Sequence, residues 1–156
     1  MKMMILGLCI LLAGCAATPT PYQKCKESLL GATGGYEDVK IQDSVYAISF
    51  TGNAYMTQGM VNNLALLRGA DITLDNGYEY FVLLEEEDIT REISGEDASG
   101  DVVRFRKMYN QEKYAYNIPE RYIIIKCYEE EPFDIPTTVY KAEEVRSNLR
   151  EAFAIK

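Results

Sequence analysis

Hydrophobic and polar positions change period along this chain, and each change marks an element. Residues 45–51 alternate, with Tyr46, Ile48 and Phe50 on one side and Ser49 and Thr51 on the other, as a half-buried strand does. Gly52 and Asn53 break the alternation. From residue 57 to 76 the period is helical: Val61, Leu64, Ala65, Leu67, Ile72 and Leu74 share a broad apolar face, while Asn62, Asn63 and Thr73 fall largely outside it. Thr57 suits the N-cap, and Gly77 stands where a left-handed residue closes a helix. Residues 78–93 read as a second strand, apolar on both faces through Phe81, Val82, Leu83 and Leu84 and then acidic from Glu85 to Asp88. Residues 94–100 read as a loop, and 102–109 as a third strand with Val103 and Phe105 opposite Arg104 and Arg106. Residues 111–119, polar with Tyr114 and Tyr116 near an Ile-Pro break, suit an exposed loop. Residues 122–128 form an interior strand, with Ile123, Ile125 and Cys127 opposite Tyr122 and Ile124. After Pro132 and Pro136, Thr137 or Thr138 can cap a last helix carrying Ala142, Val145, Leu149 and Phe153.

The order β-α-β-β-β-α predicts one two-layer α+β domain over residues 36–156: a mixed sheet of about four strands with both helices on one face. Were the first strand-helix-strand unit parallel, its crossover would be right-handed. The run Gly31-Ala32-Thr33-Gly34-Gly35 lacks the Lys-Ser or Lys-Thr of a phosphate loop. Its glycines, followed by Tyr36, suit a turn into the first strand.

The N-terminus has a pattern of its own. Lys2 precedes an apolar run from Met3 to Ala13, which has the charge and length of a secretory signal and is too short to span a bilayer. It ends in Leu12-Ala13-Gly14-Cys15, which resembles the lipobox of bacterial lipoproteins. That resemblance implies cleavage after residue 14, a diacylglycerol on the Cys15 thiol and an acyl chain on its amino group, a combination that anchors a protein durably where one chain would not. Ala16 stands where an inner-membrane retention signal, often Asp, would sit, so the resemblance favours the outer membrane. The alternative is an ordinary secretory leader cleaved near Ala16 or Ala17. Residues 15–35 would then be the lipidated end and a flexible tether, with the two prolines of residues 16–22 keeping the spacer extended.

About 142 residues would remain, enough for one core. Without Lys2 the chain carries 24 acidic against 15 basic residues, which argues against nucleic acid and anionic lipid as direct partners. Of four cysteines, Cys9 leaves with the leader and Cys15 takes lipid; Cys25 and Cys127 remain as a disulfide candidate in an oxidising compartment, or as two buried thiols. Two cysteines without histidine fall short of a zinc set, and Asp97, Ser99 and Asp101 are only a fragment of a calcium loop, so no metal and no cofactor beyond the lipid is expected.

Arg68 and Asp71 stand out because the helical wheel puts both on or beside the apolar face, three residues apart. They can pair and lock the helix to the sheet, or offer a polar contact to a ligand or partner. Phe50-Thr51-Gly52-Asn53, then Leu66-Leu67-Arg68-Gly69-Ala70-Asp71, then Asn76-Gly77-Tyr78-Glu79-Tyr80-Phe81 resemble the core of a family of small bacterial lipoproteins in which the middle block reads Leu-Leu-Arg-Ala-Ala-Glu. Gly69 and Asp71 depart from that block. The resemblance implies an envelope lipoprotein and carries no activity over.

Catalysis has little footing: histidine is absent, no serine sits in a Gly-x-Ser-x-Gly elbow, and no motif places a carboxylate pair. The expected function is a non-catalytic envelope module that binds another protein through its sheet edge, loops or acidic rim. The alternative is a small-ligand receptor with its pocket between Arg68 and the loop of Tyr114 and Tyr116.

Overall fold

Alternation at Tyr46, Ile48 and Phe50 places all three side chains in the core, within a computed structural model that describes residues 18–28, 31–93 and 116–156. The elements are β1 (Glu27–Ser28), β2 (Gly31–Ala32), β3 (Gly35–Gln42), β4 (Val45–Thr51), α1 (Gln58–Asp75), β5 (Tyr80–Ile93), β6 (Tyr116–Tyr128), β7 (Val139–Lys141) and α2 (Ala142–Ala152). β1 and β2 pair with each other, and the remaining strands form one five-stranded sheet in the order β3-β4-β6-β5-β7. The leader, Cys15, the 94–100 loop with Asp97 and Ser99, the 102–109 strand and Tyr114 lie outside the described residues.

The domain is α+β, but its sheet is antiparallel throughout rather than mixed, and it has five strands among the described residues rather than about four. β4 and β5 do run parallel to each other across α1. They are not neighbours, because β6 lies between them and pairs antiparallel with both. The extra strands are the two edges. In β3 the residues in register with inward-facing Phe50, Ile48 and Tyr46 are Tyr36, Asp38 and Lys40, while Val39 and Ile41 are 65% and 52% exposed. Its polar positions point to the helices and its apolar ones away, the reverse of the pattern a half-buried strand announces. β7 is only three residues long.

β6 is longer than expected. Residues 116–119, assigned from sequence to an exposed loop, pair instead with residues 90–93 of β5, so Tyr116 opens a strand. Pro119 has no N–H to give to the sheet, but its carbonyl accepts from Gly52 N at 2.9 Å.

α1 ends as its sequence indicates. Thr57 Oγ1 accepts from Met60 N at 3.2 Å, and Gly77, at φ 82°, allows Tyr78 N to reach Thr73 O and Gly77 N to reach Leu74 O, both at 3.0 Å. Val61, Leu64, Ala65, Leu67 and Ile72 are buried as expected. Thr73, expected off that face, is also fully buried: its hydroxyl donates to Gly69 O at 2.8 Å, so it enters the core with its hydrogen bond made. α2 starts at Ala142 with Lys141 as a cap that makes no side-chain hydrogen bond; Thr137 and Thr138 precede β7 and cap nothing. Ala142 is fully buried, and Val145, Leu149 and Phe153 pack against the same core as α1. Phe50, Phe81, Ile48, Leu67, Ile123 and Ile125 form its fully buried centre, each contributing about 1.5–3 kcal/mol by leaving water.

The N-terminal segment belongs to this packing. Thr20 is buried, Asn53 Nδ2 donates to Thr18 O at 2.9 Å, and Lys24 bridges in parallel to Tyr36 at the start of β3. Gln23 O accepts from Tyr36 N and Tyr36 O accepts from Cys25 N, both at 2.8 Å. This crossing is so close that a Cβ on Gly35 would stand 2.2 Å from Gln23 O, at a φ of +117°. From Thr18 onward the stretch expected to stand off as spacer lies against the domain.

Candidate functional site

Arg68 and Asp71, one turn apart on α1, do not pair with each other. Arg68 reaches the edge strand: its Nε donates to Asp38 Oδ1 at 3.0 Å, and its guanidinium lies 4.4 Å over the Tyr36 ring. Burial works against its charge, but the hydrogen bond and charge of Asp38 outweigh burial and hold its pKa above the ordinary arginine value. The inward carboxylate of β3, which made that strand hard to recognise, is therefore the partner of the arginine that looked misplaced on α1.

Asp71 faces the other way, into the seam between α1, α2 and the N-terminal segment. Tyr22 Oη donates to its Oδ2 at 2.6 Å, and Arg150 Nη2 lies 3.2 Å from Oδ1 and 3.0 Å from Oδ2. The Asp71 side chain is 9% exposed, so a single partner would leave a desolvated charge poorly compensated. Arg150 Nη1 also donates to Lys156 O at 2.9 Å, which ties down the end of the chain. Burial, and then the hydrogen bond to Asp71, push the Tyr22 hydroxyl far above the ordinary tyrosine value. The Tyr22 ring meets Tyr36 at a centroid distance of 5.1 Å. One chain of contacts thus runs from Asp38 through Arg68, Tyr36, Tyr22 and Asp71 to Arg150.

This arrangement joins elements, and Arg68 has 19% of its side chain exposed. Two concavities touch its members. One of about 280 Å³ sits on the sheet face away from the helices, beside Val39, Ala47, Ser49 and Tyr122, with Asp38 also on its lining. Another, of about 550 Å³, opens between Pro19, Tyr22, Met56, Met60, Phe153 and Ile155.

Tyr116 starts β6 at the far end of its pairing with β5, so the receptor pocket drawn between Arg68 and a tyrosine loop has no loop at Tyr116 to close it. The disulfide candidate is also corrected: Cys25 and Cys127 are not bonded to each other. Cys25 N bonds to Tyr36 O, and Tyr36 is level with Phe50 and Arg121, whereas Cys127 lies six residues further along β6 with its N–H on Ser44 O. At about 3.3 Å per residue that is roughly 20 Å, well past the reach of a disulfide. Cys127 is instead a core residue whose thiol burial pushes up in pKa, 3.4 Å from Thr73 Oγ1.

Among the described residues no group of three or more His, Cys, Asp or Glu side chains is placed to hold a metal ion, and no helix is long and apolar enough to cross a membrane. Arg121, with side-chain contacts to Glu86 and Asp88, gathers part of the acidic run of β5.

Sequence reasoning missed Tyr22, Asp38 and Arg150, which lie 49, 30 and 79 residues from their partners. The one signal for them was indirect: two charges on an apolar face require opposite charges somewhere. No protein-family model matches the chain, and neither a curated protein nor a solved structure matches it.

Proposed function

We propose that this chain is a lipid-anchored lipoprotein of the cell envelope, held on the periplasmic side of the outer membrane through Cys15, and that it acts as a non-catalytic module binding another envelope protein. The lipobox-like Leu12-Ala13-Gly14-Cys15, the uncharged residue at Ala16 and the resemblance to small bacterial lipoproteins support the location. The observation that carries the binding role is β3. It is an eight-residue edge strand among the described residues, and it carries two large apolar side chains, Val39 and Ile41, outward. Soluble proteins usually blunt such an edge. Tyr36 gives its outward N–H and C=O to Gln23 and Cys25; by the alternation of an antiparallel ladder, Asp38 and Lys40 turn theirs the same way. An extended partner segment can add there as a further strand, with Val39 setting the fit on the outer face and Ile41 exposed at the irregularity just beyond Lys40. Glu37 beside them, in a chain with an excess of acids, favours a partner segment bearing basic side chains.

The reading is tested in cells by a photo-crosslinking residue in place of Val39, with Asp43 at the hairpin tip as control. A discrete adduct from position 39 and none from position 43, lost when Ile41 is changed to Glu, is the expected result. No adduct at 39, or the same adducts from both positions, would sink it. Intact-mass measurement of the mature protein tests the anchor separately. The ligand reading has no comparable support, since the contacts of Arg68 and Asp71 are accounted for within the domain.

A further inference from the structure

Taking the lipid anchor on Cys15 as proposed above, we infer that one particular surface of the domain rests in the phospholipid headgroup layer: the surface formed by residues 18–23, the Asn53-Ala54-Tyr55 corner before α1, and residues 152–155. Two independent observations meet there. The first is length. Only Ala16 and Ala17 separate Cys15 from Thr18, a span of at most about 11 Å, and Thr18 is fastened to the domain by Asn53. The interfacial layer of a leaflet is about 5–8 Å deep, so the domain can rise only a few Å clear of it, and what it brings to the membrane is whatever surrounds Thr18.

The second is charge. A quarter of the chain is Asp, Glu, Lys or Arg, yet residues 18–23, 44–67 and 152–155 contain none. Residues 18–23, 53–64 and 152–155 are the parts that come together beside Thr18, and the cavity of about 550 Å³ between them has eleven lining residues, all uncharged. An acidic domain pressed against an anionic leaflet is repelled unless the face it presents is neutral. Tyr55, 61% exposed on this corner, is the residue type that membrane interfaces favour, with an apolar ring and a hydroxyl that stays in the headgroup layer. The opposite end of the sheet, at Asp43 and Ser44, would point into the periplasm, and the β3 edge would stand upright from the membrane and open to a partner.

The chain contains no tryptophan, so a single one reports its own surroundings. Lipidated protein purified from membranes is reconstituted into vesicles of phosphatidylethanolamine and phosphatidylglycerol, with and without brominated acyl chains, as Tyr55→Trp and, for comparison, Ile41→Trp near the hairpin tip. Tyr55→Trp is expected to show a blue shift on reconstitution and loss of emission with brominated lipid, and Ile41→Trp neither. If the protein floats with the vesicles and both variants behave alike, the surface assignment is wrong while the anchor stands. If the intact mass shows no acyl chains and nothing floats, the anchor itself fails and this inference falls with it.

Discussion

Tyr22 shows how much one side chain from outside the expected domain contributes. Tyr22→Phe keeps the ring against Tyr36 and removes the hydrogen bond to a buried carboxylate, which should cost about 1.5–3 kcal/mol at neutral pH in urea unfolding. The pH dependence has a definite sign. Because the hydroxyl holds its proton more tightly folded than unfolded, its contribution is complete below the unfolded value of 10.0 and declines as pH rises past it. Cys127, raised by burial from 9.0, acts in the same direction. The wild-type protein should therefore lose stability from about pH 9 upward, and Tyr22→Phe should flatten the part of that decline above about pH 10. Equal slopes in the two proteins would contradict the Tyr22–Asp71 contact. Gly69 gives the opposite kind of test. A Cβ there would meet Phe81 and Ile125 at 3.5–3.7 Å, ordinary contact distances, so the helix carries a glycine where alanine fits. Gly69→Ala should raise stability by about 0.5–1 kcal/mol, read as a higher thermal midpoint. At this scale the sequence marked Arg68 and Asp71 as positions needing explanation. It could not name their partners, because a helical wheel relates residues within one element only.

Elements with one face in the core were legible: β4 and the interior part of β6 by alternation, and α1 by its caps and period. Elements at the sheet edge were not. β3 keeps its apolar side chains outward and sends Asp38 to Arg68, so its pattern carries the polarity of a loop although its pairing is continuous with β4 apart from one irregularity near its end. Residues 116–119 carry the composition of a loop for a related reason: Asn and Pro weigh against a strand, yet the neighbouring β5 supplies pairing regardless. The start of α2 was misplaced because the sequence offered threonines as caps, whereas the backbone turns into the helix at Lys141, which has no oxygen to give. A capping side chain is therefore missing at a position whose φ and ψ, −84° and 114°, suit one. Lys141→Ser should stabilise the domain by about 0.5–1 kcal/mol, measured by urea unfolding. No change would mean that β7, rather than the cap, limits how firmly this helix begins.

For the whole molecule the decisive feature is that both ends of the described chain converge on Asp71: Tyr22 from the N-terminal segment, and Arg150, with Lys156 O behind it, from α2. The fold therefore closes on its own tether, which composition alone presented as a spacer because Thr, Ala and Pro favour extended chain and say nothing of what the chain lies against. A soluble chain beginning at Gln23 separates these descriptions from one beginning at Ala16. It lacks the burial of Thr20 and the Tyr22 ring and hydroxyl, while keeping the Gln23–Tyr36 and Cys25–Tyr36 backbone bonds. Loss of a largely buried aromatic and its charged hydrogen bond should cost about 3 kcal/mol, seen as a lower urea midpoint. Arg150→Ala should then destabilise the shortened chain more than the longer one, because Asp71 would keep no partner from either end. If both chains unfold at the same midpoint, the N-terminal segment is a linker after all, the domain is free to stand away from its anchor, and the orientation on the membrane inferred from Thr18 loses its footing.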